Sequence, residues 1–202
     1  MPTIRVFLGL LCLIPLVAHS AGDATAGQAI ASACAACHGS NGVATVPGAP
    51  NLAGQNERYL LAQLEMIKSG ARAAPLMAGQ LDQLASQDLA NLAAYFAAMP
   101  RNVGQASDVA LDLGEMIYRA GIETKQVAAC SACHSPTGSG NQLAGFPLLG
   151  GQRSDYVTVQ LTAYRERNRT TDEAYGGAMR AIAGGLTDTE IAAVANYIQG
   201  LH

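Results

Sequence analysis

Two short segments of the sequence carry a pattern of cysteine and histidine that suits covalent attachment of a cofactor. Residues 34–38 read Cys-Ala-Ala-Cys-His, and residues 130–134 read Cys-Ser-Ala-Cys-His. C-x-x-C-H is typical of haem attachment, in which two cysteine sulfurs add to the two vinyl groups of one macrocycle. On one helical turn both sulfurs can reach the same ring, and the adjoining histidine is placed beneath the iron. The sequence therefore predicts two covalent haem c groups, attached through Cys34, Cys37, Cys130 and Cys133.

The other cysteines and histidines support this interpretation by elimination. The chain has five cysteines and four histidines. Cys12 and His19 fall in a segment that we expect to be removed, and His202 is the last residue. Every internal Cys and His of the mature chain then belongs to one of the two motifs. The alternatives are a pair of C-x-x-C disulfides or one four-cysteine zinc site.

A haem iron that serves as an electron carrier needs a second axial ligand, and methionine suits this role. Its thioether is soft and neutral, favours ferrous iron and so raises the reduction potential. Met66, Met99 and Met116 lie in helical patterns, where Met usually contributes packing. Met77 and Met179 lie in predicted loops at matching places, each about 40 residues beyond its motif histidine. The expected axial pairs are His38 with Met77, and His134 with Met179.

Several residues are candidates for supporting these sites. Pro50 and Pro147 follow the histidines by 12 and 13 residues. A proline carbonyl can accept a hydrogen bond, so each could fix the Nδ1–H of its histidine. Tyr59 and Tyr156, near Gln63 and Gln160, could reach the haem propionates or the contact between modules. A basic cluster in the second copy is by default a solvated surface, and it could otherwise dock a partner or pair with the propionates: Arg165, Arg167 and Arg169.

The chain is a tandem repeat. The two motifs are offset by 96 residues, and the segments Pro-Asn-Leu-Ala-Gly-Gln at 50–55 and Pro-Leu-Leu-Gly-Gly-Gln at 147–152 are offset by 97. The order of the landmarks does not change between the copies. We therefore expect one module over residues 21–104 and a second over residues 105–202, with a boundary in the polar, turn-forming stretch 100–105.

Within each module the hydrophobic spacing is helical, and no run alternates as a strand would. We expect an all-α protein. The predicted helices are Ala24–Cys37, Glu57–Ser69, 87–99, Asp112–Ala120, Ser154–Arg165 and Asp188–Gly200. Thr187-Asp188-Thr189-Glu190 is a capping-box pattern that marks the start of the last helix.

Composition and the N-terminus indicate an exported protein. Residues 1–20 read as a secretory signal, with Arg5 before an apolar run of 12 residues and small residues before Ala21. An uncleaved anchor is the alternative. The remainder has no second membrane-spanning candidate, so the mature product should be soluble. Charged residues make up 13% and the net charge is −3, with no basic stripe that would indicate nucleic-acid binding.

Taken together, the tandem C-x-x-C-H motifs, the Pro-x-Leu-x-Gly-Gln-like segments, the matching methionines and the signal sequence resemble cytochrome c4, a family of dihaem class I c-type cytochromes. The resemblance covers residues 21–202. It implies two small cytochrome c folds related by an approximate two-fold axis, with the haems facing each other. It also implies a periplasmic location, loose membrane association and electron delivery to a terminal oxidase.

The main functional hypothesis is a non-enzymatic electron carrier, because His and Met on both irons leave no position for a substrate. A second hypothesis is the cytochrome subunit of a flavoprotein dehydrogenase of the sulfide-oxidising type. A third is a haem enzyme or gas sensor, which would need one open iron position.

Overall fold

The computed structural model describes residues 21–202, and the expected signal segment 1–20 lies outside the described residues. Over 21–202 the regular structure is helical, and the β-structure consists of two isolated bridges, Ile122–Val127 and Asn141–Phe146. The all-α expectation is confirmed. The helices of the first half are α1 (Ala24–Ile30), α2 (Ala35–His38), α3 (Glu57–Lys68) and α4 (Ser86–Ala97). Those of the second half are α5 (Leu111–Ala120), α6 (Ser131–His134), α7 (Ser154–Arg165), α8 (Ala178–Gly184) and α9 (Asp188–Gly200).

Three local predictions differ from the structure. The predicted helix Ala24–Cys37 is divided into α1, a 3-10 turn at Ala31–Ala33, and α2. Met77 ends a short 3-10 turn, Pro75–Met77, where a loop was expected. Met179 lies in α8, also where a loop was expected. The glycines at the ends of α8 made the sequence look like a loop. An Ala-rich segment of seven residues can still form a helix when neighbouring elements hold it.

The last helix of each half begins with a different cap. In α9 the Thr187 hydroxyl accepts the N–H of Glu190, and the Glu190 carboxylate accepts the N–H of Thr187, as the capping-box pattern predicts. In α4 the Asp88 carboxylate accepts the N–H of Ala85. Ala85 has no side-chain acceptor to return the bond, so α4 has half of the box.

Each half is built on a close crossing of its first and last long helices, and glycine makes the crossing possible. A Cβ atom added at Gly27 in α1 would lie 2.1 Å from the Asn91 carbonyl oxygen of α4. A Cβ added at Gly114 in α5 would lie 2.2 Å from the Ala193 carbonyl oxygen of α9. The matching contacts indicate that the halves are two copies of one fold.

A separate apolar core lies in each half. Leu60, Leu92 and Phe96 are at the centre of the first core, and Ile117 and Val194 are at the centre of the second. Residues 101–110 connect the halves without a helix. None of the helices within 21–202 is long and apolar enough to cross a membrane.

Candidate cofactor sites

The first C-x-x-C-H motif forms one tight helical turn. The backbone N–H groups of Cys37 and His38 donate to the Cys34 carbonyl at 3.3 and 3.0 Å. Cys34 is half-buried, Cys37 is exposed, and neither forms a disulfide. The turn therefore carries two free thiols on one side of the chain, directly ahead of a buried histidine.

The second motif repeats this geometry. The N–H groups of Cys133 and His134 donate to the Cys130 carbonyl at 3.3 and 2.9 Å. Cys130 is half-buried, Cys133 is exposed, and both are free thiols. The described residues contain neither a C-x-x-C disulfide nor a cluster of three or more His, Cys, Asp or Glu side chains that could hold a metal ion.

Both motif histidines are oriented by a proline carbonyl, as the sequence predicted. The Nδ1 atom of His38 lies 2.9 Å from the Pro50 carbonyl oxygen, and that of His134 lies 3.0 Å from the Pro147 carbonyl oxygen. Because a carbonyl oxygen only accepts, Nδ1 must carry the proton. The neutral ring then presents the lone pair of Nε2, which is the form in which imidazole binds a metal.

Burial keeps these rings neutral. His38 is 6% exposed and His134 is 7% exposed. Burial lowers the pKa of each histidine, against the smaller opposing effect of the hydrogen bond to its proline carbonyl. Both rings are therefore ready to ligate without first losing a proton.

A lysine side chain holds the segment that follows Met77 through hydrogen bonds to backbone carbonyls. The Lys68 ammonium, at the end of α3, donates to the carbonyls of Leu81 and Asp82 at 3.1 Å each, and also to that of Leu84. Met77 is half-buried and borders a cavity of about 290 Å³.

In the second half, an acidic residue holds the segment around Met179. The buried Asp172 carboxylate accepts the Arg180 N–H at 2.9 Å and lies 2.7 Å from the Arg180 guanidinium Nε. Its own carbonyl accepts the N–H groups of Tyr175 and Gly177. Met179 directly precedes Arg180 and follows the turn at Asp172. The second methionine segment is therefore held by an aspartate, whereas the first is held by a lysine.

A reciprocal cluster of arginine, tyrosine and glutamine joins the two halves. Arg72 donates to Gln63 of its own half at 2.9 Å, and to Tyr156 and Gln160 of the other half at 2.9 and 3.2 Å. Arg169 donates to Gln160 of its own half at 2.7 Å.

Arg169 also crosses to the first half. It donates to Gln63 at 2.9 Å and to Tyr59 at 3.1 Å. The arrangement around Arg72 is thus repeated around Arg169 with the halves exchanged, as an approximate two-fold axis requires. The expected contact of Tyr59 and Tyr156 with the boundary between modules is confirmed.

The cluster holds two cations with no anion beside them. Neither Arg72 nor Arg169 forms an ion pair with a carboxylate of the described chain. Arg169 is 7% exposed, and the buried Nε of Arg72 has no hydrogen-bond partner. Burial raises the pKa of the Tyr59 hydroxyl, but the two guanidiniums outweigh it and bring that pKa below its ordinary value. A buried cation is costly without a counter-charge, and no carboxylate of residues 21–202 supplies one to either arginine.

These features fit haem. Free thiol pairs suit its vinyl groups, a neutral imidazole suits its iron, and the two guanidiniums suit its carboxylates. Arg72 was not identified from the sequence, and Arg169 was named only within a basic cluster. The internal repeat holds a signal for them, because Arg72, Tyr59 and Gln63 each recur 97 residues later.

Comparisons with known proteins agree with this description. The sequence model of the cytochrome c family matches residues 24–100 and 120–202. Cytochrome c4 of Pseudomonas aeruginosa is 48% identical over 98% of this chain and 99% of that protein. The crystal structure of reduced recombinant cytochrome c4 from Pseudomonas stutzeri superposes with a TM-score of 0.87 at 46% identity, covering 90% of this chain and 100% of the other. The thiosulfate dehydrogenase electron acceptor of Stutzerimonas stutzeri is 36% identical over 83% of this chain and 78% of that protein.

Proposed function

We propose, since this chain belongs to the cytochrome c family as a cytochrome c4, that it is a non-enzymatic periplasmic electron carrier. It takes electrons from respiratory donors to a terminal oxidase or reductase. It is a dihaem c-type cytochrome with two haem c groups. The observation that supports the proposal best is the repeated bond from a buried histidine Nδ1 to a proline carbonyl. It leaves one imidazole lone pair in each half for one iron.

We assign the attachment and ligation as follows. Each pair of motif cysteines would hold one haem through two thioethers, and the adjoining histidine would supply a nitrogen ligand to its iron. A methionine thioether would be the second protein ligand of each iron, because it is soft, neutral and favours the ferrous state. The covalent residues are Cys34, Cys37, Cys130 and Cys133. The axial pairs are His38 with Met77, and His134 with Met179.

The division of the chain is part of the proposal. We place one monohaem domain at 21–104 and the other at 105–202, with the exposed stretch after α4 as the connection. Residues 1–20 act as the export signal and direct the protein to the periplasm.

When bound, haem iron supplies a one-electron ferric–ferrous couple in each half. The protein contributes rigidity. The histidines are buried and hydrogen-bonded, and both methionine segments are held by charged side chains, so the ligands need to move little when the charge changes. A site that does not reorganise transfers electrons with a small barrier. With a histidine and a methionine as its ligands, neither iron would be open to a substrate.

A second candidate is a dedicated electron acceptor for one dehydrogenase. The similarity to the thiosulfate dehydrogenase electron acceptor favours this class of donor, at lower identity than the cytochrome c4 relatives. A cytochrome subunit of a flavoprotein dehydrogenase would likewise accept electrons from a single dehydrogenase. We propose donors of this kind alongside a terminal oxidase, and loose rather than integral association with the membrane.

The test is to express the full chain with haem-attachment machinery and titrate it spectroelectrochemically. Two haems per chain and two low-spin one-electron waves are expected, without binding of carbon monoxide to the folded ferrous protein. Binding of carbon monoxide at one iron would favour an enzyme or sensor. Co-purification with a flavoprotein would favour the subunit role.

A further inference from the structure

A glutamine side chain of each half grips the backbone of the other half, in that it forms two hydrogen bonds to one backbone residue there. The Gln55 side-chain oxygen accepts the Leu148 N–H at 2.7 Å, and its amide nitrogen donates to the Leu148 carbonyl at 2.9 Å. The Gln152 side-chain oxygen accepts the Asn51 N–H at 2.9 Å, and its amide nitrogen donates to the Asn51 carbonyl at 2.9 Å. One amide therefore satisfies both backbone groups of one residue across the boundary, and it does so twice.

The two gripped residues have a special position. Asn51 directly follows Pro50, whose carbonyl accepts the Nδ1–H of His38. Leu148 directly follows Pro147, whose carbonyl accepts the Nδ1–H of His134. The carbonyl that orients each histidine thus belongs to the peptide unit whose N–H is held by the other half.

Each glutamine amide has a fixed orientation and is buried. The same Gln55 oxygen accepts the N–H of Asn56 at 2.9 Å, and the same Gln152 oxygen accepts the N–H of Arg153 at 3.0 Å. These local bonds set the orientation of each amide. Gln55 and Gln152 are buried, as are both residues they grip, so water does not readily replace a lost bond.

We infer that each haem-ligating histidine is oriented by a glutamine of the opposite domain: His38 by Gln152, and His134 by Gln55. Both glutamines are positioning residues, which act through the proline peptide. This inference rests on the proposed ligation by the histidines. A firm Nδ1–H bond makes the imidazole a stronger donor and stabilises ferric iron. The glutamine hydrogen bonds across the interface therefore lower the reduction potential of each haem.

The test uses two matched variants of the haem-loaded full chain, Gln152→Met and Gln55→Met. Methionine keeps the length and approximate volume but cannot form either bond. In reduced protein with 15N-labelled histidine, the two ring Nδ1–H signals are followed by hydrogen exchange. The His134 signal is identified through Phe146, whose ring centroid lies 6.1 Å from that of His134. His202 is exposed, so its ring proton should exchange too fast to follow, and the remaining slow signal is that of His38.

Crossed effects are expected. Gln152→Met should speed exchange of the His38 ring proton about tenfold, by loss of the two bonds, and raise the potential of the first-half haem. Gln55→Met should do the same to His134 and the second-half haem. The control is Asn102→Ala, which removes a bond between the halves to the Gly151 carbonyl and leaves both gripped residues held. It should change neither signal.

The inference fails if each variant alters the histidine of its own half, if both variants alter both histidines equally, or if neither signal moves. If one Met variant folds poorly, the reciprocal variant tests the same crossing. Failure of the proposed function would look different, because the wild type itself would then lack two haems or two low-spin waves.

Discussion

Arg169 in the second half donates a hydrogen bond to the Gln63 side-chain oxygen in the first half at 2.9 Å, and the arginine side chain is buried, with 7% exposure. The mirrored Arg72 brings a second cation to the same boundary, without a carboxylate partner in the described chain. A cation near an iron opposes the gain of positive charge on oxidation. The pair should therefore raise both haem potentials and neutralise their carboxylates.

Arg169→Gln should lower the potentials, on the order of tens of millivolts, since a buried charge is only partly screened by solvent. Spectroelectrochemical titration measures the change. Arg169→Lys is the matched control, because it keeps the charge while losing the forked hydrogen bonds. Equal potentials in wild type and Arg169→Gln would show that the guanidinium has no electrostatic role.

Gly114→Ala should destabilise the second half. The added methyl would lie 2.2 Å from the Ala193 carbonyl oxygen, so α5 and α9 would have to separate. We expect a loss of about 2 kcal/mol or more in the free energy of unfolding, measured with denaturant. Gly184→Ala is the control, since an added Cβ meets nothing within 4 Å and should be neutral or slightly stabilising. Similar stabilities for the two variants would contradict the close-crossing account.

Asp155 should give the contact between the halves a dependence on acid. Its carboxylate accepts the Gly48 N–H of the other half at 3.0 Å. The hydrogen bond from Arg153 and bonds from backbone N–H groups, against the opposing effect of burial, lower its pKa to about 2. A lowered pKa stabilises the folded chain above the ordinary carboxyl pKa, and this stabilisation is lost as the pH falls from about 4 through about 2.

Asp155→Asn measures that contribution. Asp155 is 41% exposed, so solvent screening limits it to less than about 1 kcal/mol. Denaturant unfolding of both proteins at several pH values should show a constant difference between pH 5 and 7 that shrinks in acid. A difference that grows as the pH falls would have the wrong sign.

Asp172→Asn should loosen the second methionine segment. The variant loses the charge that pairs with Arg180 and weakens the turn that carries Met179. Added imidazole should then displace the second-half thioether faster, as followed by the absorption band of methionine on ferric iron. Lys68→Met is the counterpart in the first half and should act on Met77 instead. Equal displacement in both halves from either variant would contradict separate control of the two segments.

The parts of the structure that depend on local pattern were predictable. The bounds of α7 and α9 and the Thr187 cap agree with the sequence, because helical periodicity and capping act within a few residues. The proline acceptors were predicted because Pro50 and Pro147 follow the motif histidines at matching places and keep a carbonyl that can accept a hydrogen bond.

Tyr59 and Tyr156 were expected near the boundary between the modules, but the residue pairs that meet there were not foreseen. Nothing local in the sequence shows that Gln55 faces Leu148, or that Arg72 faces Tyr156, because such contacts depend on how two folded units meet. The short helix holding Met179 was missed for a related reason, since Asp172 and the α7 packing stabilise a segment that its glycines would weaken alone.

The measurement that tests the central claim most directly is spectroelectrochemical titration of the full, haem-loaded chain beside its Met77→Ala and Met179→Ala variants. The wild type should show two haems per chain and two low-spin waves, and its ferric form should show the methionine band. Met77→Ala should shift one wave and halve the band, and Met179→Ala should shift the other wave and halve the band. If either substitution leaves both waves and the full band intact, that methionine is not an axial ligand and the account of two closed His–Met sites is wrong.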